Sequence, residues 1–423
     1  MEKRHFHVKP AHAYIVQAAL EYFLSIIVGG TYLAVITKAL GVPDNITGIL
    51  SSVISLGCLF QLLSIPLGHI KKRTILISSI LYQLLFMSLY VIPLTNFSQS
   101  IKVTLLVVAI VGAYLLYNII HPKKINWLMS FIDNEHRGTF TANKEIISLI
   151  GGILFSFGTG MLVDHYSALG QVSQYFTLAI GIIIVLISLH TVSLAVIKEK
   201  EEPIPARIGL LKHIKELFSD KKILQITLVF ALYYASSYIC TPFYSTYKIG
   251  ELGLSLTFLS ALGMCGSVAR ISVSKLWGRI ADKTSFASMI EKCFFFLLAA
   301  QLCMCFAIPA NGALMVLLYF VLHGIALGGI NSALINLVFD YVPAEKRADS
   351  LAITQAAAGL TGFVITLLAS PMVDHIQKNG NVFMGIPMYA QQVLSAFSAI
   401  IIVIAIIFVR MTMINKSKVN TEM

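Results

Sequence analysis

Glu21, Lys123, Lys124, Lys144, Glu145 and Arg270 each stand inside a long apolar run of the sequence. Where such a run crosses a bilayer, an ionised side chain at its centre costs at least about 2.5 to 3.5 kcal/mol, so its presence by default marks function. At 1.5 Å per helical residue from the midpoints of the predicted spans, all of them fall about 6 to 10 Å inward of the membrane centre, in one layer. Glu21, in AALEYFLS, has no acid or base within a turn on its own helix and needs either a partner from another span or a proton. A carboxyl whose hold on a proton is set by burial and by a neighbouring cation can load and release that proton, which is proton-coupling chemistry. A static salt bridge to Lys or Arg is the other reading. Arg270, in GMCGSVARISVSK, has a structural or gating role, or contacts a substrate.

Lys123 and Lys124 follow His121 and Pro122. Proline kinks or opens its helix, and adjacent helical positions point about 100° apart, so only one of the two lysines faces a central cavity well while the other snorkels inward. Four bases against two acids leave the layer electropositive, with a slight preference for an anionic or carboxylate-bearing solute. His190 and His323 sit within spans and titrate near neutrality, so either can relay protons, with His323 the stronger candidate and hydrogen-bonded packing the alternative for both. Tyr234 and Tyr238, with Asn331 and Asn336, can hydrogen-bond a polar solute, against a packing role for most such residues. No P-loop, HExxH, GxSxG or strand-linked GxGxxG occurs, so the chain reads as neither an ATP-driven pump nor an enzyme, and no cofactor or metal is expected. The six cysteines fall in predicted spans without CxxC spacing and read as packing residues.

The elements that must position these residues are membrane helices. The 423 residues are 57% hydrophobic and 12% charged, far from the globular average of about 25% charged. Breaking the sequence at Pro, Gly and charge clusters yields twelve spans, at about 13–36, 46–68, 74–94, 102–132, 139–163, 173–197, 223–247, 254–277, 285–308, 311–341, 349–373 and 386–409. They leave no room for a separate catalytic domain. With both termini cytoplasmic, inner segments hold 21 of the 31 Lys and Arg and outer segments 4, which sets the orientation. The same asymmetry accounts for the net charge of +11 without nucleic acid. A multi-pass protein of the plasma (inner) membrane, monomeric in the lipid bilayer, follows. The charged N-terminus runs into a span too long for a cleaved signal, so the first helix is expected to remain. Residues 201–222 read as a cytoplasmic linker between six-helix bundles at 1–200 and 223–423. Within it Leu210, Leu211, Ile214, Leu217 and Phe218 recur at helical spacing, as in an amphipathic helix lying on the membrane.

The two halves repeat at one constant offset. EHRGTFTANKEIISLIGGILFSFGTGMLVDHY, from Glu135, superposes without a gap on EKRADSLAITQAAAGLTGFVITLLASPMVDHI, from Glu345, aligning Arg137 with Arg347 and the Asp164-His165 pair with Asp374-His375. Two parallel six-helix repeats are the architecture of transporters that rock two halves about a midplane site. With this repeat, and with WGRIADK (Trp277 to Lys283) after span eight and Arg137 and Arg347 at the turns after spans four and ten, the chain resembles the major facilitator superfamily. The departures are Lys72 in GHIKKR, where the family pattern has an acid, and GGILFSFGTG in span five, which lacks the Gly-Pro pair of drug/proton antiporters.

The resemblance implies the major facilitator fold, all-α with twelve transmembrane helices. It makes Glu145 the partner of Arg270 across the halves, with Lys144 beside them. It also places Asp282 at the start of span five near Arg137 and the first loop at the start of span eleven, where Lys72 can pair with Asp349 or Glu345 as a charge-swapped gate. A positive-inside role is the other reading of Lys72. The expected function is secondary active transport of a small solute by alternating access, coupled to a proton or another cation, with Glu21 and His323 as coupling candidates. A facilitative uniporter, or a non-transporting receptor or lipid-handling protein on the same fold, is the alternative.

Overall fold

Lipid offers the backbone no hydrogen-bond partner, so a chain this apolar must satisfy its N–H and C=O groups within each segment, and helices do so. The computed structural model describes residues 10–64, 70–129, 131–132, 137–199, 219–342 and 347–414. Its main helices are α1 (Pro10–Val28), α2 (Gly30–Ala39), α3 (Asp44–Phe60), α4 (Lys72–Val91), α5 (Gln99–Met129), α6 (Arg137–Ala168), α7 (Val172–Val196), α8 (Lys221–Tyr238), α9 (Leu256–Lys283), α10 (Phe286–Cys305), α11 (Gly312–Tyr341), α12 (Arg347–Lys378) and α13 (Ala390–Val409). Among the described residues, twelve helical segments are long and apolar enough to cross a membrane. A two-stranded hairpin, β1 (Val382–Phe383) against β2 (Ile386–Pro387), joins α12 to α13.

The boundaries differ from the sequence expectation at two informative places. The span expected over 13–36 is broken at Gly29, because Gly30 takes φ +52°, a conformation open at low cost to a residue without Cβ. The span expected over 139–163 has its apolar stretch at Ile146–Ala168, so Lys144 and Glu145 precede it on the same helix instead of lying within it. The expected linker helix lies outside the described residues.

By packing, the chain divides into two compact units, residues 1–41 with 63–207 and residues 42–62 with 208–423. In the first, α1 packs on α4, α6 and α7, and α4 on α5. In the second, α10 packs on α11 and α13, α9 on α11, and α12 on α8 and α3. The second span of the first repeat, α3, thus packs with the second unit. Where helices approach closely in lipid they do so on small residues: a Cβ at Gly324 on α11 would lie 2.2 Å from the carbonyl oxygen of Gly266 on α9. Helix starts in the second unit are capped by side chains, with Asp220 accepting from the Lys222 and Ile223 N–H groups and Ser255 from that of Phe258.

Candidate functional site

The first unit gathers its polar side chains by helical spacing. Gln17 and Glu21 are four residues apart and share one face of α1, while Tyr117, His121 and Lys124 recur at intervals of four and three on α5. α4 contributes Tyr82 and Gln83, and α7 contributes His190. These faces meet inside the first unit.

At the centre, the Lys124 ammonium donates to both Glu21 oxygens, at 2.6 Å to Oε1 and 2.7 Å to Oε2. Its side chain is 1% exposed and that of Glu21 15%. Tyr82 Oη donates to Glu21 Oε1 at 3.1 Å, and Gln17 Nε2 donates to Oε2. The Lys124 ammonium also lies 5.9 Å and 5.7 Å from the ring centroids of Tyr82 and Tyr117. His190 is clamped between two amides, 3.0 Å from Gln17 at its Nε2 and 2.9 Å from Gln83 at its Nδ1. Gln17 turns Nε2 to the ring while donating to Glu21, and Gln83 turns Nε2 to His190 Nδ1 while donating to Tyr82 Oη at 3.3 Å.

Several of the residues expected from the sequence have a definite place. Lys124 is the inward-facing member of its pair, and Lys123 is half-buried beside it. Lys124 and Glu21 neutralise each other, as the count of four bases against two acids already includes. The Lys144 ammonium lies 5.0 Å from the Tyr14 ring centroid on α1. In the second unit Tyr234 stacks on Tyr238 at 5.6 Å, His323 stacks on Tyr319 at 5.1 Å, and Arg270 is half-buried within electrostatic reach of His323. Asn331 is exposed and Asn336 half-buried. The Lys72 ammonium donates to Ala195 O at 2.8 Å, at the C-terminal end of α7, and its backbone N–H donates to Glu199 at 3.0 Å. A cation suits that end of a helix dipole. The side chains of Arg137, Glu145, Asp282, Arg347 and Asp349 lie outside the described residues, as does Glu345.

Gln17, Tyr82 and Gln83 are members of the site that charge alone does not single out, although the i,i+4 spacing of Gln17 and Glu21 is a sequence signal. His190 joins the network directly, and Lys248, which sequence reading assigns to an outer segment, is buried. Among the described residues, no group of three or more His, Cys, Asp or Glu could hold a metal ion.

The model of the Major Facilitator Superfamily matches residues 15–366. Among solved structures, the nucleoside transporter NupG superposes with a TM-score of 0.67 at 12% identity, over 95% of this chain and 99% of that one. A bacterial homolog to the human lysosomal transporter Spinster gives 0.65 at 15%, over 95% and 97%. The POT family transporter PepTSo gives 0.71 at 10%, over 95% and 98%. No curated protein matches the chain by sequence.

Proposed function

The chain belongs to the major facilitator superfamily, and from that premise we propose that it is a proton-coupled secondary transporter of a small solute, with Glu21 and Lys124 as its coupling centre. The observation that carries the reading is a carboxylate bound through both oxygens to a lysine that is 1% exposed, within a membrane span. Buried ion pairs are weak evidence for stability, so a bundle has little structural reason to keep this one. Protonating Glu21 removes the counter-charge from Lys124 and turns Oε2 from an acceptor into a donor. Gln17 must then present its oxygen, and His190 must carry hydrogen on Nε2. One amide inversion therefore links the proton on Glu21 to the proton on His190, and His190 is a carrier along with the sequence candidates Glu21 and His323. A gradient worth about 2.3 kcal/mol per charge per 100 mV would drive accumulation through such a site.

The Lys and Arg asymmetry supports cytoplasmic termini, which fits the proposed plasma (inner) membrane location, and a monomer suffices for the site. Alternating access would use Arg270 with Glu145, and Lys72 with Asp349, as inner gates. Reconstituted Glu21→Gln should lose accumulation driven by a pH gradient while retaining solute exchange. Accumulation at the parental level would leave the pair a static salt bridge and reject the proposal.

A further inference from the structure

Lys248 lies in a π-helical turn, Tyr247–Glu251, two residues from the outer end of the span Lys221–Gly250. A lysine so placed ordinarily snorkels, keeping its ammonium in interfacial water. This one does the reverse. It is 6% exposed, and its ammonium stands 5.5 Å from the ring centroid of Tyr244, 4.9 Å from that of Tyr319 and 4.5 Å from that of Phe320.

The cage turns ring faces to the ammonium. Tyr244 Oη is committed to Gln301 and Ser395, at 2.5 and 2.6 Å, and Tyr247 Oη donates to Ala307 O at 2.6 Å. The acid in the same turn, Glu251, engages Asn381. Among the described residues, no carboxylate pairs with Lys248 and no acceptor takes any of its three N–H donors. Lys124, which is also deeply buried, has both oxygens of an acid. Ring quadrupoles stabilise a cation but leave its N–H donors free. His323 stacks on the same Tyr319 at 5.1 Å, and Lys248 and Arg270 are the cations within electrostatic reach of it.

We infer that Lys248 is the anchor of an anion subsite, taking the carboxylate or phosphate of a solute whose apolar or aromatic body lies against Tyr319 and Phe320. A buried cation with open donors and no counter-charge is complementary to an oxyanion, and a lysine binds either kind as a point charge. The inference deepens the transport reading and rests on it, because it names the charge class of the solute carried.

The test measures binding, which does not depend on coupling. The purified full chain is heated with benzoate, phenyl phosphate, the neutral isostere benzamide, and benzylamine. Stabilisation by benzoate alone identifies a carboxylate subsite, and by phenyl phosphate alone a phosphate subsite. Lys248→Met should weaken that anion's binding at least about tenfold, the factor belonging to one charge-assisted contact, and Lys248→Arg should keep it within about threefold. Without ligand, Lys248→Met should melt no lower than the parent, because no partner is orphaned, and this separates lost binding from lost folding. Anion stabilisation unchanged in Lys248→Met, or stabilisation only by benzamide or benzylamine, overturns the subsite. No stabilisation by either anion overturns it as well. Normal proton-driven accumulation in Glu21→Gln would reject the coupling centre while leaving these binding results as they stand.

Discussion

Removing one member of the Glu21–Lys124 pair should cost far more than removing both. At 2.7 Å and an effective dielectric near 20, the direct attraction is about 6 kcal/mol. Desolvation takes back several kcal/mol for each ion, so the pair as a whole contributes little net stability. Deleting one partner leaves the other's desolvation uncompensated, typically about 3 to 5 kcal/mol. Lys124→Met should fall near the lower end, because Gln17 and Tyr82 still donate to the carboxylate. Glu21→Gln leaves an ammonium that is 1% exposed with only an amide oxygen and two aromatic rings, and should fall at or above the middle. In the double variant neither charge remains, and the amide introduced at position 21 would keep the contact to Tyr82, so its stability should return to within about 2 kcal/mol of the parent. The coupling energy would then be at least about 3 kcal/mol. Reversible unfolding in mixed micelles, followed for the parent, both single variants and the double variant, gives this number directly. Losses that simply add in the double variant would refute the argument, since additivity is the signature of sites that do not interact.

Gly324→Ala should destabilise the second unit by about 1 to 3 kcal/mol in the same unfolding assay, because its Cβ meets backbone that cannot rotate away; unchanged stability would mean that α9 and α11 do not pack this closely. Glu251 lies just past its span, where burial, reinforced by the charge of Asp44 and opposed by a hydrogen bond from Asn381, raises its carboxyl pKa. The folded state then holds that proton more tightly than the unfolded one, so stability should decline as pH rises from the ordinary carboxyl range through the raised value and level off above it. Glu251→Gln should flatten that limb of the melting-temperature profile, and an identical profile would count against it. Cysteines at positions 72 and 349, in a background without reactive thiols, should crosslink in the inner-closed state; absence of the crosslink in every condition removes that gate.

The architecture was legible in the sequence because the bilayer leaves so few solutions. Apolar runs about twenty residues long must be helices, and the offset relating Glu135 to Glu345 exposes the repeat in the sequence. The need of Glu21 for a partner or a proton was equally readable, since an isolated charge in an apolar run cannot stand alone. Which residue answers that need was not, because Glu21 and Lys124 are separated by 103 positions and meet only through the packing of α1, α4, α5 and α7. Helical phase limited the choice to one of two adjacent lysines, and the facing helices selected Lys124. Gln17, Gln83 and His190 meet for the same reason: hydrogen-bond partners depend on which groups face each other across helices. Lys248 reads in sequence as an ordinary positive residue near a span end. Only the tertiary structure turns it inward, because the π-helical turn at Tyr247–Glu251 and the rings of Tyr244, Tyr319 and Phe320 decide where its side chain points, and no composition or periodicity encodes that.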